Sequence, residues 1–286
     1  TPMTAIIGMT NLALENSTDA DQRYYLNTVK ISADALLGLL NDILEFSKIE
    51  AGQIIIEEHP FDLRHTLEAT TQTLACIAQT KGVEIMCRIP PGAPTALVGD
   101  ELRLRQVLMN LAGNAVKFTE KGHVLISAEI SAETGDSFTV HCSVMDTGVG
   151  IPKEQQKIIF EEFSQADNSI TRVYGGSGLG LTISRKLIGL MGGNMWVESE
   201  AGQGSTFHFT ARLGKGIRKE KAFCLASKNT ESVRVIIVGE NQIQRSILKE
   251  MFEAWGGTVK ESADEEEACR ALQEGTDAST PYDLVL

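Results

Sequence analysis

The stretch Asn110-Leu111-Ala112-Gly113-Asn114-Ala115-Val116-Lys117-Phe118 lies on a long predicted helix. Asn110, Asn114 and Lys117 are spaced by four and three residues, so they share one face of that helix. Two amides and an ammonium on one face suit a metal ion bound to phosphates, with asparagine oxygens as hard ligands and lysine as a counter-charge. A solvated polar face is the alternative. It is disfavoured by the apolar remainder of the helix, which includes Leu108, Leu111 and Val116.

Two glycine-rich turns follow this helix. Asp146-Thr147-Gly148-Val149-Gly150 comes directly after a predicted strand, where its glycines let the backbone approach a flat ligand and Asp146 could accept a hydrogen bond from an exocyclic amine. Gly175-Gly176-Ser177-Gly178-Leu179-Gly180-Leu181 opens a predicted helix, whose free N–H groups and positive dipole end suit a phosphate. Alone, the first turn is also a common β-turn and the second a flexible loop. Their order after the helix is far more specific.

The N-terminal region predicts a helical hairpin. A stripe formed by Ile6, Met9 and Ala13 precedes a polar break over residues 16–21. Beyond it, apolar residues step by three and four alternately, as in a heptad seam. The seam consists of Leu26, Val29, Ala33, Leu36, Leu40, Ile43 and Ser47. Because a hairpin cannot bury such a seam alone, we expect residues 1–55 to form a four-helix bundle by homodimerisation.

Residues 56–214 predict an α/β sandwich, so the chain as a whole has the α+β multidomain class. A hairpin of two alternating strands is expected over residues 124–144. The other predicted elements are helices at 61–78, 100–118 and 182–191, and strands at 84–89 and 207–211. Helices covering one face of a mixed sheet would explain this irregular order.

The last part of the chain predicts a separate unit. Residues 212–221 carry five basic residues against Glu220, so a linker is expected over 215–232. Residues 233–238 have the pattern of a buried parallel strand, and a helix at 242–255, a short strand near 258 and a helix near 265–272 follow. Residues 233–286 therefore predict the first half of a doubly wound parallel fold.

The composition excludes several classes of protein. The formal charge is −12, with 26 basic and 38 acidic residues, which disfavours nucleic acid as a partner. No apolar run approaches the roughly 20 residues of a membrane helix, so no membrane contact by this segment is expected. Five scattered cysteines without close spacing are typical of reduced cytoplasmic thiols.

Taken together, the motifs resemble the Bergerat-type ATP-binding domain of the sensor histidine kinases. Residues 110–118 match the N box of that family, and 146–150 the first glycine box. The F box, the second glycine box and the closing glycine turn match residues 160–165, 176–181 and 202–207. The hairpin is similar to a dimerisation and histidine-phosphotransfer domain, and residues 233–286 resemble the start of a receiver domain. The resemblance is therefore to a hybrid sensor histidine kinase.

The resemblance implies ATP and Mg²⁺ as cofactors. Asp146 would bind the adenine amino group, Asn114 and Asn110 would hold Mg²⁺ against the phosphates, and Lys117 would reach a phosphate. A mobile lid over residues 164–178 would contribute Arg172 and Tyr174. The remaining nucleotide contacts implied by the motifs are Gly148, Gly150, Gly176, Gly178, Leu179, Gly180 and Thr206.

Only the end of the family's phospho-acceptor motif, the part that follows the acceptor histidine, is matched in this sequence. Thr1-Pro2-Met3 would place the acceptor histidine four residues before Thr1, and Thr1 would orient water in the reverse, phosphatase reaction. None of the five histidines in the chain replaces the acceptor. We therefore expect this chain to bind ATP without phosphorylating itself, while membrane anchoring of the parent protein stays open.

The sequence differs from the receiver family at Gly239-Glu240-Asn241, where that family has two acidic residues. Glu240 remains as a candidate Mg²⁺ ligand at a site of reduced negative charge, and the acceptor aspartate would lie beyond Leu286. The segment is then either a degenerate receiver that docks on the kinase or an active one with altered metal affinity.

A receiver domain or response regulator would be the phosphoryl-accepting partner. The alternatives are a nucleotide-sensing scaffold and another Bergerat ATPase, such as a chaperone or topoisomerase subunit.

Overall fold

The structure, a computed structural model, describes residues 2–162, 178–217, 233–277 and 280–286. Its N-terminal part is a hairpin of two helices, α1 (Pro2–Asn16) and α2 (Ala20–Glu50). Asp19 starts α2, because its carboxylate accepts a hydrogen bond from the backbone N–H of Gln22 at 2.9 Å. The helix ends at Ala51, and Gly52 follows with a φ of 63°. The predicted helical hairpin is thus confirmed.

The heptad seam of α2 lies largely open in the single chain. Ala33 is buried, but Val29, Leu36, Leu40 and Ile43 are each more than 40% exposed. An apolar helix face of this length is not covered by α1. It therefore provides a contiguous apolar surface for a partner helix.

The central part is a seven-stranded mixed sheet packed against helices. Along the fifth strand, Val140, Cys142 and Val144 are buried in the core, whereas His141 and Ser143 on the other face are partly exposed. The strands are β1 (His59–Asp62), β2 (Val83–Arg88), β3 (Ala96–Gly99), β4 (Gly122–Thr134), β5 (Ser137–Asp146), β6 (Met195–Glu200) and β7 (Gly204–Lys215). The helices are α3 (Leu63–Lys81), α4 (Glu101–Phe118) and α5 (Gly180–Leu190). This arrangement confirms the predicted α/β domain.

The sheet has the spatial order β1-β3-β7-β5-β4-β2, and β6 pairs with β7. The expected β4–β5 hairpin is present and turns at Gly135, which has a φ of 45°. The pair β2–β4 is parallel, whereas the other pairs are antiparallel. The sheet is therefore mixed, as the irregular order of elements predicts.

The prediction of a helix from Phe61 was wrong at its first two residues. Phe61 and Asp62 belong to β1, where Phe61 pairs with Leu97 of β3. The helix begins at Leu63, because the Asp62 side chain accepts the N–H of His65 and caps it. The strands β1, β3 and β6 were not predicted from the sequence. β1 and β3 have four residues each, too few for a clear alternation.

The C-terminal part is a three-stranded parallel sheet with the order β10-β8-β9. It comprises β8 (Arg234–Val238), α6 (Gln242–Ala254), β9 (Thr258–Ser262), α7 (Glu265–Asp277) and β10 (Leu284–Val285). Its small buried core contains Ile236, Ala268 and Ala271. The predicted strand–helix alternation is therefore present. None of the helices that the structure describes combines the length and apolar character needed to cross a membrane.

Candidate functional site

Helix α4 carries the three polar residues that the sequence singles out. Its N-cap is Asp100, whose carboxylate accepts the N–H of Arg103 at 3.0 Å. The apolar side of α4 is buried in the core. Asn110, Asn114 and Lys117 instead lie on its half-exposed side, as the spacing predicts. Burial lowers the pKa of the Lys117 ammonium, and its Nζ lies 5.0 Å from the centroid of the Phe118 ring.

The asparagines of α4 face the start of α5. Asn110 donates a hydrogen bond through Nδ2 to the Ser184 hydroxyl at 2.9 Å, and its Oδ1 lies 3.5 Å from Nδ2 of Asn114. Gly180 allows this approach, because a Cβ there would lie 2.6 Å from Asn110 Oδ1. Ser184 is a site residue that sequence analysis missed. A single serine on an amphipathic helix gives no signal of its own.

Asp146 ends β5 at the base of the first glycine turn. It is buried, and its Oδ1 accepts the backbone N–H of Gly148 at 2.8 Å. Burial raises the pKa of the Asp146 carboxyl, although backbone hydrogen bonds from Gly148 and Ser205 act in the opposite direction. The structure thus holds a buried carboxylate that is oriented by backbone donors.

The first glycine turn packs directly against the C-terminal end of α4. A Cβ at Gly148 would lie 2.5 Å from the carbonyl oxygen of Phe118, so this approach requires glycine. Gly150 has a φ of 68°, and a Cβ there would meet the carbonyl of Glu200. The turn that carries Asp146 and the helix that carries Asn114 are therefore in contact.

The second glycine-rich segment is described from Gly178 onward. Gly178 has a φ of 68°, Leu179 is buried, and Gly180 is the first residue of α5. Thr206 lies half-buried on β7, opposite Met145 of β5. Of these positions, Gly180 lies beside Asn110 of α4, and Thr206 lies beside the end of β5. Four further predicted site residues lie outside the described residues, namely Thr1, Arg172, Tyr174 and Gly176.

The predicted receiver ligand Glu240 is exposed, in the turn between β8 and α6. Its neighbour Asn241 caps α6 by accepting the N–H groups of Ile243 and Gln244. Over the described ranges, no three histidine, cysteine, aspartate or glutamate side chains form a group that could hold a metal ion. Among the described residues, Glu240 is therefore not part of such a group.

The hairpin is attached to the helices of the site. Glu45 of α2 accepts hydrogen bonds from Arg103 and Gln106 of α4, each at 2.5 Å. Lys186 of α5 pairs with Glu50 of α2, and its Nζ lies 4.2 Å from the ring centroid of Phe46. Sequence analysis predicted none of these contacts, since they join residues far apart in the chain. They link the hairpin to both helices that bear the polar site.

Two protein families match the chain. Residues 1–52 match the His Kinase A (phospho-acceptor) domain, and residues 99–215 match the histidine kinase-, DNA gyrase B-, and HSP90-like ATPases. Sensor histidine kinase GacS of Pseudomonas protegens is 40% identical over 256 residues, or 90% of this chain and 28% of GacS. Signal transduction histidine-protein kinase BarA of Escherichia coli is 42% identical over 80% of this chain and 25% of BarA.

A solved structure of full-length ShkA in complex with AMPPNP is similar over 94% of this chain and 54% of ShkA, with a TM-score of 0.76 and 36% identity. The chain spans about a quarter of the length of the curated relatives GacS and BarA. The first matched range covers the hairpin, and the second covers α4, α5 and the strands β4 to β7 of the central sheet. Residues 1–52 and 99–215 therefore belong to the phospho-acceptor and ATPase families, and the chain carries the domains of a protein-histidine kinase.

Proposed function

We propose that this chain is the catalytic part of a hybrid sensor histidine kinase, which binds Mg-ATP and supplies its γ-phosphoryl group to a phosphorelay. The observation that carries the proposal is the contact between Gly148 and the carbonyl of Phe118. This contact joins two elements. One is the turn that carries Asp146, which can accept a hydrogen bond from adenine, and the other is the end of α4, whose polar face can bind phosphates and their metal ion. The AMPPNP bound by ShkA supports a nucleotide at this site.

The residues have distinct roles in the proposed site. Asp146, oriented by the N–H of Gly148, accepts a hydrogen bond from the adenine amino group. The amide oxygens of Asn110 and Asn114 are hard donors that fit Mg²⁺, which supplies charge neutralisation at the phosphates when bound. Lys117 contributes a positive charge beside them. Phosphoryl transfer needs mainly positioning and charge neutralisation, and these groups provide both.

Nucleotide titration tests the proposed site. We expect Mg-ATP to bind the wild-type chain and Asn114→Ala to weaken that binding by tenfold or more, because a hard ligand on the phosphate side is lost. The matched control is Asn27→Ala, since Asn27 is an exposed amide on the hairpin. Equal affinity of the wild type and Asn114→Ala for Mg-ATP would contradict the assignment.

We further propose that the acceptor histidine precedes Thr1 in the intact protein, and that an aspartate on a receiver domain or response regulator then takes the phosphoryl group. Acid-labile phosphate is expected on a longer protein that includes the upstream residues, and not on the 286-residue chain. The control is the same longer protein with that histidine replaced by alanine. Phosphohistidine formed within residues 1–286 would contradict this part of the proposal.

Homodimerisation through α2 is part of the proposal. It is supported by the exposed seam residues Val29, Leu36, Leu40 and Ile43. Leu40→Asp should convert dimers to monomers in sedimentation experiments, because it places a charge at the centre of an apolar interface. Ile31→Asp is the matched control, since Ile31 is 70% exposed but lies off the seam.

The C-terminal unit is proposed to be a receiver-like segment. Its parallel order β10-β8-β9 supports this assignment, while the amide of Asn241 stands where an acidic residue would be expected. Asn241 donates a hydrogen bond to Glu84 of β2, and Arg88 of β2 pairs with Glu250 of α6 at 2.7 Å. These contacts favour a degenerate receiver docked on the ATP-binding domain over an active one.

The same contacts favour a second candidate function, a non-catalytic scaffold that senses nucleotide. The two candidates differ in turnover. A longer protein with the acceptor histidine would form phosphohistidine from ATP if it is a kinase, and would bind ATP without phosphorylation if it is a scaffold. The hairpin matched by the phospho-acceptor family disfavours a chaperone or topoisomerase subunit.

A further inference from the structure

Lys81 lies in the part of the chain between the two matched ranges, 1–52 and 99–215. It is the last residue of α3, which ends at Gly82 with a left-handed φ of 69°. The N–H of Gly82 bonds back to the carbonyls of Ala78 and Gln79, so this helix end is well defined. The position from which the Lys81 side chain extends is therefore fixed by the cap.

The Lys81 ammonium binds the end of a different helix. Its Nζ donates hydrogen bonds to the carbonyl oxygens of Val116 at 2.7 Å and of Lys117 at 2.8 Å. The preceding carbonyl, that of Ala115, accepts both the N–H and the hydroxyl of Thr119. The last carbonyls of a helix have no partner within the helix, and a cation there also complements the helix dipole. Lys81 thus completes the C-terminal end of α4.

This helix end is where the phosphate side of the proposed site begins. Lys117 contributes its carbonyl to Lys81 and its ammonium to the polar face, and Asn114 lies one turn earlier on that face. The first glycine turn packs on the carbonyl of Phe118, but the side chain of Asp146 on that turn is held by other contacts. Asp146 is fixed by the N–H groups of Gly148 and Ser205 and by the pairing of β5 with β7. The carboxylate proposed to bind adenine is therefore oriented by hydrogen bonds that involve neither Lys81 nor the two carbonyls that Lys81 binds.

We propose that Lys81 is a positioning residue for the phosphate side of the nucleotide site. It acts through the backbone of Val116 and Lys117 and touches no nucleotide itself. The proposal rests on the proposed function, because it concerns the same ATP site. A purely structural cap would affect the whole domain, and so would weaken the adenosine and phosphate contacts alike.

Comparison of ATP with adenosine distinguishes these roles. Competition against a fluorescent nucleotide would give the affinities of both ligands for the wild type, Lys81→Met and Lys81→Arg, with Mg²⁺ present. We expect Lys81→Met to weaken ATP binding about tenfold, as for a lost charge-assisted contact, and adenosine binding by less than about twofold. Lys81→Arg retains the cation and should recover most of the ATP affinity. Lys48→Met is the control, since Lys48 is an exposed lysine on the hairpin.

Equal losses for ATP and adenosine, or no loss for either, would overturn the positioning role. A wild-type chain that fails to bind ATP would instead contradict the proposed function, so the two failures are distinguishable. If Lys81→Met does not fold, Lys81→Gln is judged by the same two affinities, because its amide keeps donor N–H groups without the charge.

Discussion

Asn110 of α4 donates a hydrogen bond to the hydroxyl of Ser184 of α5 across 2.9 Å, although 74 residues separate them. This bond fixes the orientation of one of the two asparagines on the polar face of α4. It also ties that face to the helix that follows the second glycine-rich segment. The contact is partly buried, so the orientation of the Asn110 amide is less open to competition from water than it would be on the surface.

Replacement of Ser184 should therefore weaken nucleotide binding. Ser184→Ala removes the acceptor of the Asn110 N–H, and a hydrogen bond of this kind contributes about 0.5–1.5 kcal/mol, or roughly two- to tenfold in affinity. Titration with Mg-ATP measures the effect. Ser32→Ala is the matched control, because Ser32 bonds a carbonyl of its own helix on the hairpin. An unchanged ATP affinity in Ser184→Ala would show that this bond does not orient Asn110 for binding.

The ionised carboxylate of Asp146 should lower the stability of the nucleotide-free protein at neutral pH, although the same carboxylate is proposed to bind adenine. Its folded-state pKa is raised by burial above the value of 3.8, so the ionised form is disfavoured in the folded state. The stability that the protonated form contributes is present below pH 3.8 and is lost as the pH rises through the raised pKa. Asp146→Asn cannot ionise, so it should not lose stability as the pH rises, but it should bind adenine more weakly.

Thermal unfolding at several pH values checks this expectation. The melting temperature of Asp146→Asn relative to the wild type should increase between pH 4 and pH 7, and ATP binding should be weakened. The control Asp136→Asn changes an exposed aspartate in the β4–β5 turn and should show neither effect. A difference in melting temperature that does not vary with pH would contradict the prediction.

Much of the fold could be predicted from local patterns. The apolar stripe of α4 and the alternation along β4 and β5 report directly which face each element buries. The strands β1 and β3 escaped prediction because each has four residues, and because their pairing joins segments about 35 residues apart. A strand this short is stabilised by its neighbours more than by its own sequence.

The candidate site was predictable to a similar extent. Asn110, Asn114 and Asp146 stand out because their motifs are contiguous in the sequence. Ser184 and Lys81 do not, since a single serine or lysine on a helix carries no spacing signal. The roles proposed for them rest on hydrogen bonds made across 74 and 35 residues, which exist only once the helices have packed.

An aromatic stack on the outer face of the sheet should make stability depend on pH. The rings of His208, Trp196 and His141 are all in mutual contact: the His208 centroid lies 5.1 Å from that of Trp196 and 5.3 Å from that of His141, and the Trp196 and His141 centroids are 5.5 Å apart. Burial lowers the pKa of His208 below 6.5; the nearby Glu198 acts in the opposite direction, and His141 lowers it further. A lowered folded-state pKa means stability that is present above pH 6.5 and lost as the pH falls through the folded pKa.

The free energy of unfolding should therefore decline as the pH falls below about 6.5, and His208→Phe should reduce that decline while keeping the stack. Urea denaturation between pH 7.5 and 5 measures both proteins. His59→Asn is the control, since His59 is exposed and lies outside the stack. If His208→Phe and the wild type decline in parallel, the pH dependence arises elsewhere.

Docking of the C-terminal unit should depend on the ion pair between Arg88 and Glu250. The pair joins β2 to α6 at 2.7 Å, and its side chains are 44% and 33% exposed. Exposed pairs contribute about 0–1 kcal/mol and are screened by salt, so docking through such a contact should be reversible. The charge reversal Glu250→Arg places two cations together and should undock the unit. Hydrogen exchange along α6 and β2 should then become faster, since undocking removes the side-chain contacts between them.

A charge swap shows whether the faster exchange comes from the broken ion pair or from a general loss of structure. The double variant Arg88→Glu with Glu250→Arg restores opposite charges, so it should recover the slower exchange that either single variant loses. Added salt should speed exchange in the wild type toward that of the single variants. Glu253→Arg is the matched control, because Glu253 is an exposed residue near the end of the same helix. If the double variant exchanges as fast as the single variants, the contact is not what holds the unit to β2.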